Sequence, residues 1–237
     1  MNLIEEIENY KPHLVKILDE AYQLYMPQVR PEILQLADFV ENELAFTPKS
    51  QPFNVVEIGT KFGGTFYIWN LINNQPNGLN ISIDMEAGIH GGVTKEEMDK
   101  RDLWFYERFD NCRFIRGNSH DEFILQQLKN ALGDQKIDFL FIDGDHTYEG
   151  VKKDFEMYSP FLKKGSLVGF HDIIISDHHH ERDVWVGEFW EDLTKSKIIH
   201  FDQSVQCTID GERYKIFEFI GSPEQNWAGI GVLLKLS

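Results

Sequence analysis

The chain has 237 residues, 42% hydrophobic and 13% aromatic, with a formal net charge of −16. That length and apolar content are enough for a folded domain, or a domain with an appended subdomain, and exclude a disordered chain. The acidity opposes an unassisted grip on a phosphate backbone, and the densest basic group, Lys152-Lys153 with Lys163-Lys164, is small, so nucleic acid is not an expected partner.

The chain opens on Met1-Asn2-Leu3-Ile4-Glu5-Glu6, which is acidic and lacks an apolar leader core. No run has the apolar length of a membrane span, so no membrane partner is expected. Cys112 and Cys207 stand far apart in no metal-ligating pattern, which fits a reducing compartment and a cytoplasmic location. Residues 2–25 carry Leu3, Ile4, Ile7, Leu14, Ile17, Leu18, Ala21 and Leu24 at helical spacing. Pro27 and Pro31 break this helix, and a second is expected over 32–45. These helices would cap a sheet, roof a pocket or join two copies of the chain; their pattern alone does not choose.

Asn54-Val55-Val56-Glu57-Ile58-Gly59-Thr60-Lys61-Phe62-Gly63-Gly64-Thr65 then reads as a buried parallel strand over 53–59, a glycine turn, and a helix over 64–74. Gly59 and Gly63 allow a ligand close to the backbone, and Glu57 sets a carboxylate at the strand's carboxyl end. The spacing G-x-x-x-G-G differs from the G-x-G-x-x-G of dinucleotide folds and lacks the Lys-Ser/Thr of a P-loop. A turn at Pro76-Asn77-Gly78 precedes a strand over 79–85 that ends in Asp84-Met85-Glu86, where a carboxylate is placed to accept from ribose hydroxyls. A glycine-rich connection over 87–93 follows, then a helix over 95–109 whose Trp104, Phe105, Tyr106 and Phe109 read as core or interface.

The third strand is 112–116, and Gly117-Asn118-Ser119-His120-Asp121 turns into a helix over 121–132, with Ser119 a candidate N-cap. Ile137-Asp138-Phe139-Leu140-Phe141-Ile142 is apolar on both faces and reads as a central strand. Asp143 closes it, and His146 follows within the same loop, so a carboxylate and an imidazole can meet one ligand. A helix over 151–162 is expected to stop at Lys163-Lys164-Gly165. The fifth strand, 166–170, ends in His171-Asp172. Adjacent strand residues face opposite ways, so these two can share a ligand only if the strand has ended there. Asp177-His178-His179-His180-Glu181-Arg182-Asp183 reads as a solvated loop, with a lid or an adventitious metal site as alternatives. A helix over 184–193 and strands at 198–201, 214–220 and 229–236 complete the chain, with a turn at Asp210-Gly211.

Together, Val-Val-Glu-Ile-Gly, Ile-Asp-Gly-Asp-His-Thr-Tyr and Gly-Ser-Leu-Val-Gly-Phe-His-Asp resemble the macrocin O-methyltransferase and cephalosporin-hydroxylase-like branch of the class I S-adenosylmethionine (SAM)-dependent methyltransferases, over about residues 50–175. The resemblance implies an α/β, Rossmann-like fold: a mostly parallel seven-stranded sheet with an antiparallel edge strand and helices on both faces. It divides the chain into an N-terminal helical cap, 1–48, and a SAM domain, 49–237. It implies SAM contacts from Glu57, Gly59, Gly63, Thr65, Asp84, Met85, Asn118, Ser119 and Asp143. His146 would be the general base, beside Asp143. A divalent metal would lie on Asp143, His171 and Asp172; His171 stands where an acid is usual, so either manganese, zinc or iron replaces magnesium, His171 steps aside, or no metal binds. The expected acceptor is a small-molecule hydroxyl, a sugar included, and the N-terminal helices would join a homo-oligomer. The alternative is a non-catalytic SAM- or nucleotide-binding protein on the same fold.

Overall fold

A computed structural model describes residues 10–48, 50–75, 77–87 and 92–237. The expected helical turns with Leu3, Ile4 and Ile7, the Pro76 position and glycine-rich residues 88–91 lie outside the described residues. Among the described residues two helices come first, α1 (Pro12–Tyr22) and α2 (Arg30–Phe46). Pro12 and Pro31 stand in their first turns, where a missing N–H costs nothing; Pro31 therefore opens α2 rather than merely ending α1.

Strand and helix then alternate: β1 (Val55–Ile58), α3 (Gly64–Ile72), β2 (Asn80–Asp84), α4 (Lys95–Tyr106), β3 (Cys112–Arg116), α5 (Glu122–Leu132), β4 (Ile137–Ile142), α6 (Tyr148–Tyr158) and β5 (Leu162–His171). Thr94 and Glu97 close a reciprocal capping box at the start of α4. After β5 come α7 (Asp177–His180), α8 (Val186–Thr194), β6 (Ile198–Ile199), β7 (Val205–Ile209), β8 (Glu212–Phe219) and β9 (Ile230–Lys235).

The strands form one sheet in the order β3-β2-β1-β4-β5-β9-β8-β7-β6. The first five are parallel, and β9 runs antiparallel between β5 and β8. The expected α/β, mostly parallel architecture is present, with nine strands among the described residues rather than seven. The extra pair arises because Val205-Gln206-Cys207-Thr208-Ile209 alternates apolar and polar residues, and Asp210 and Gly211 both take positive φ, as a tight hairpin needs. Another correction concerns Lys163-Lys164-Gly165. The helix ends at Tyr158, a short 3-10 turn with Pro160 follows, and the lysines belong to β5. There the strand slips register against β4, and the Ser166 hydroxyl bridges the slip: it accepts from the Lys163 N–H at 2.9 Å and donates to the Ile137 carbonyl at 2.6 Å.

Alternation along the strands divides the core in two. Leu140 and Ile142 of β4 face α5, α6 and α8, whereas Phe139 and Phe141 face α1, α2 and α3. The aromatic run of α4 serves packing as expected, with Phe105 buried against Phe66 and Phe114. Strand order reverses around β1 and β4, so a crevice opens past their carboxyl ends.

Candidate active site

A cavity of about 830 Å³ occupies that crevice. Gly59, Thr65, Asp84, Met85, Asn118, Ser119, Asp143, His146, His171 and Asp172 all line it, from the carboxyl ends of β2 and β5, the first turn of α3 and the loops that follow the strands. Glu57 and Gly63 do not. Strand parity accounts for Glu57: Val56 and Ile58 face one core layer, so Glu57 points into the other, where it is 0% exposed and accepts from Trp69 Nε1 at 2.6 Å. Burial pushes its carboxyl up to about 8.

The glycines are required by protein rather than ligand. A Cβ on Gly59, at φ +89°, would fall 2.0 Å from the Asp143 carbonyl oxygen; one on Gly63, at φ +93°, would fall 2.7 Å from the Phe105 ring. Their absence lets the β1 turn lie against the β4 loop and so brings Asp143 to the cavity. Asp84 enters from the end of β2. Its Oδ2 accepts from Arg101 Nη1 at 2.5 Å and its Oδ1 from the Met85 N–H at 3.1 Å. Burial raises its carboxyl, and the Arg101 charge only partly offsets this. Arg101 also donates to the Lys61 carbonyl, so α4 ties the β1 turn to the end of β2. At the end of β3, the Asn118 side chain accepts from the His120 N–H at 2.9 Å. Ser119 is not an N-cap; Asp121 holds that position, and the Ser119 carbonyl accepts from the Tyr158 hydroxyl at 2.8 Å.

At the ends of β4 and β5 the acids and imidazoles converge. His146 Nδ1 lies 2.7 Å from Asp172 Oδ2, and its Nε2 lies 3.6 Å from Asp143 Oδ1. His171 Nδ1 is 3.1 Å from Asp143 Oδ1 and 3.2 Å from Asp172 Oδ1, off the line of a hydrogen bond, and its Nε2 has no partner. Asp172 takes a left-handed φ of 66°, so the strand has ended and both neighbours reach the same cluster. Burial opposes charge on both His171 and Asp172, but their mutual attraction outweighs it: His171 is held well above its ordinary value and Asp172 well below. His146 is also raised, because the Asp172 hydrogen bond and charge outweigh burial. Asp143, His146 and Asp172 each offer a ligand atom, all within 4.8 Å of one another.

The three consecutive histidines diverge. His179 Nδ1 donates to the Ile174 carbonyl at 2.6 Å, and Nε2 accepts from the Ala228 N–H at 3.0 Å. A carbonyl can only accept and an N–H can only donate, so the tautomer is set and neither nitrogen is spare. His180 stacks on Trp185 at 4.4 Å and contacts Glu188, while His178 accompanies Arg182 at the rim. Residues 177–183 thus form helix α7 and a turn, not an extended polar loop.

Several residues at the site carry no sequence signal: Met26 and Gln28 from the segment before α2 and Trp227 from the β8–β9 loop line the cavity, and Arg101 from α4 braces Asp84 from behind. Gln28 Nε2 donates to Asp143 Oδ2 at 2.9 Å across 115 positions of chain. Only folding brings such a pair together.

Residues 56–173 match the model of a family described as a methyltransferase domain. A curated protein of Acanthamoeba polyphaga mimivirus is 33% identical over 132 residues, which is 54% of this chain and 55% of the viral one. A second, from Sinorhizobium fredii, is 27% identical over 146 residues, 60% of this chain but 15% of its own length. The chain therefore spans about half, or much less, of these curated relatives. Among solved structures, the O-methyltransferase TomG of Streptomyces achromogenes, in complex with SAM, superposes with a TM-score of 0.58 at 16% identity, covering 97% of this chain and 92% of that one. MycE, a methyltransferase from the mycinamycin biosynthetic pathway solved with magnesium and S-adenosylhomocysteine (SAH), gives 0.54 at 14% identity, covering 95% of this chain and 55% of that one. At such identities these likenesses establish a shared fold.

Proposed function

Residues 56–173 belong to the methyltransferase-domain family, and from that premise we propose that this chain transfers a methyl group from SAM to a hydroxyl oxygen of a small molecule. The arrangement that carries this reading is the His146–Asp172 pair, 2.7 Å apart, in the same cavity as the strand-end acid Asp84. Bound SAM supplies a sulfonium-activated methyl group, so the chain's main task is to align an oxygen behind it.

The binding roles follow the cavity. The N-terminus of α3, with the backbone of Gly64 and Thr65, suits the methionyl carboxylate. Asp84, oriented by Arg101, suits the ribose hydroxyls, and Met85, Asn118 and Ser119 suit the adenine. His146 would take the acceptor's proton at Nε2. Asp172 accepts the Nδ1 hydrogen bond, holds the ring in place and favours the imidazolium that forms.

The acid cluster also fits a divalent cation. Asp143 and Asp172 would hold it with His171, whose ring nitrogens have no hydrogen-bond partner. Such a cation would polarise the acceptor hydroxyl, and a mixed nitrogen–oxygen donor set suits manganese, zinc or iron better than magnesium. His146 can serve as base only while His171 supplies the nitrogen ligand. TomG takes part in tomaymycin synthesis and MycE in the mycinamycin pathway; by analogy a natural-product or sugar hydroxyl is the proposed acceptor.

Mass spectrometry of the denatured protein for SAM or SAH, with elemental analysis for metal, tests the pocket without knowing the acceptor. Absence of both, together with no SAH binding by calorimetry, rules the reading out. With an acceptor in hand, His146→Ala is expected to keep SAH affinity and lose about a hundredfold or more in turnover; unchanged turnover would remove His146 from the mechanism.

A further inference from the structure

The segment between α1 and α2 is pinned over the cavity. Met26 lies against Gly64, where an added Cβ would come within 2.5 Å of the methionine Cβ. The Tyr22 hydroxyl donates to the Gln28 carbonyl at 2.8 Å, and Val29 packs on Gly221. Between these anchors Gln28 reaches down into the cavity at 7% exposure. Its Nε2 donates to Asp143 Oδ2, and its Oε1 is buried without any partner. The amide cannot simply turn over, because a carboxylate oxygen accepts and Oε1 has no hydrogen to give. A buried acceptor lacking a donor carries a cost that a ligand can relieve.

We propose that Gln28 Oε1 accepts a hydrogen bond from the α-ammonium of the bound SAM, making Gln28 a cofactor-binding residue supplied by the N-terminal helical segment. The inference rests on the SAM-binding reading above. SAM offers three kinds of donor. The ribose hydroxyls belong at Asp84, beyond the β2 end, and the adenine amine at Asn118 and Ser119, beyond the β3 end. Gln28 enters from the other side: it follows Met26, which lies against Gly64 at the start of α3, and its side chain meets Asp143. A methionyl carboxylate seated on the α3 N-terminus leaves the ammonium, one carbon away, between α3 and Asp143. The segment from Met26 to Gln28 crosses that span. A neutral amide oxygen facing a full positive charge makes a strong, charge-assisted bond, and the same side chain keeps Asp143 oriented through Nε2.

The test is calorimetric and needs no acceptor. SAH, its deaminated analogue with hydrogen in place of the α-amino group, and 5′-methylthioadenosine are titrated into the full chain and into Gln28→Leu and Gln28→Met. The wild type is expected to favour SAH over the deaminated analogue by roughly tenfold or more. Both variants should lose about tenfold to a hundredfold for SAH and bind the other two ligands nearly as before. Equal wild-type affinity for SAH and the deaminated analogue overturns the assignment, as does an SAH affinity that the variants leave unchanged. A parallel loss for all three ligands would make Gln28 merely structural. Failure of the wild type to bind SAH would instead sink the methyltransferase reading itself, a result distinct from the others.

Discussion

Glu57 shows how position on a strand decides what an acid does. At the residue scale its location predicts a pH dependence. The folded chain holds the Glu57 proton up to about 8, against an ordinary value of 4.5, so the folded state binds more protons than the unfolded one between these limits. The stabilising share of protonated Glu57 is thus complete below 4.5 and is lost as pH rises through about 8. Glu57→Gln keeps an acceptor for Trp69 Nε1 and cannot ionise. Melting temperatures of the two proteins should agree near pH 4 and diverge toward pH 8.5, with the wild type lower; parallel curves would refute this. That an acid ends the first strand is legible in Val-Val-Glu-Ile-Gly. Which face it occupies depends on where the strand pairs, and pairing is long-range.

The connections between elements carry much of the site. The β8–β9 loop, which brings Trp227 to the cavity rim, is fastened to α2 by one buried acid. Glu32 accepts from the Gly221 and Gly229 N–H groups, each at 3.0 Å, and from Gln225 Nε2. Removing the carboxylate in Glu32→Ala strands the buried Gly229 N–H, while the Gly221 N–H keeps Gln225 Oε1 at 3.0 Å, and is expected to cost about 1–3 kcal/mol in urea unfolding. Limited proteolysis should then cut first within 221–229. A variant as stable as wild type would show that water takes over these bonds. Boundaries of the parallel strands were readable because short apolar runs ending in Gly or Asp punctuate them. A strand was readable at Ile198-Ile199, where β6 lies, but β7 and the bulge at Lys163-Lys164-Gly165 were not, since a short half-exposed stretch and a pair of lysines before glycine suit several local conformations.

For the molecule as a whole, the N-terminal helices share a core with one face of the sheet. Leu14, Leu18, Ile33 and Val40 cluster with Phe66, Phe139, Phe141 and Val232. A chain cut to residues 49–237 would uncover that aromatic layer and is expected to aggregate or bind a hydrophobic dye strongly; cooperative unfolding of a soluble fragment would show instead that 1–48 is a separable cap. By itself the sequence determined the alternation of strand and helix, the parallel class of sheet, the family, and the strand ends at which Asp84, Asp143, His146 and Asp172 appear. Those features rest on local periodicity and on turns a few residues long. Tertiary structure alone decided that Glu57 turns away from the cavity, that His146 lies against Asp172, and that Gln28 closes over Asp143 from the far end of the chain. Each of these depends on contacts between residues distant in sequence, where no local pattern records the partner.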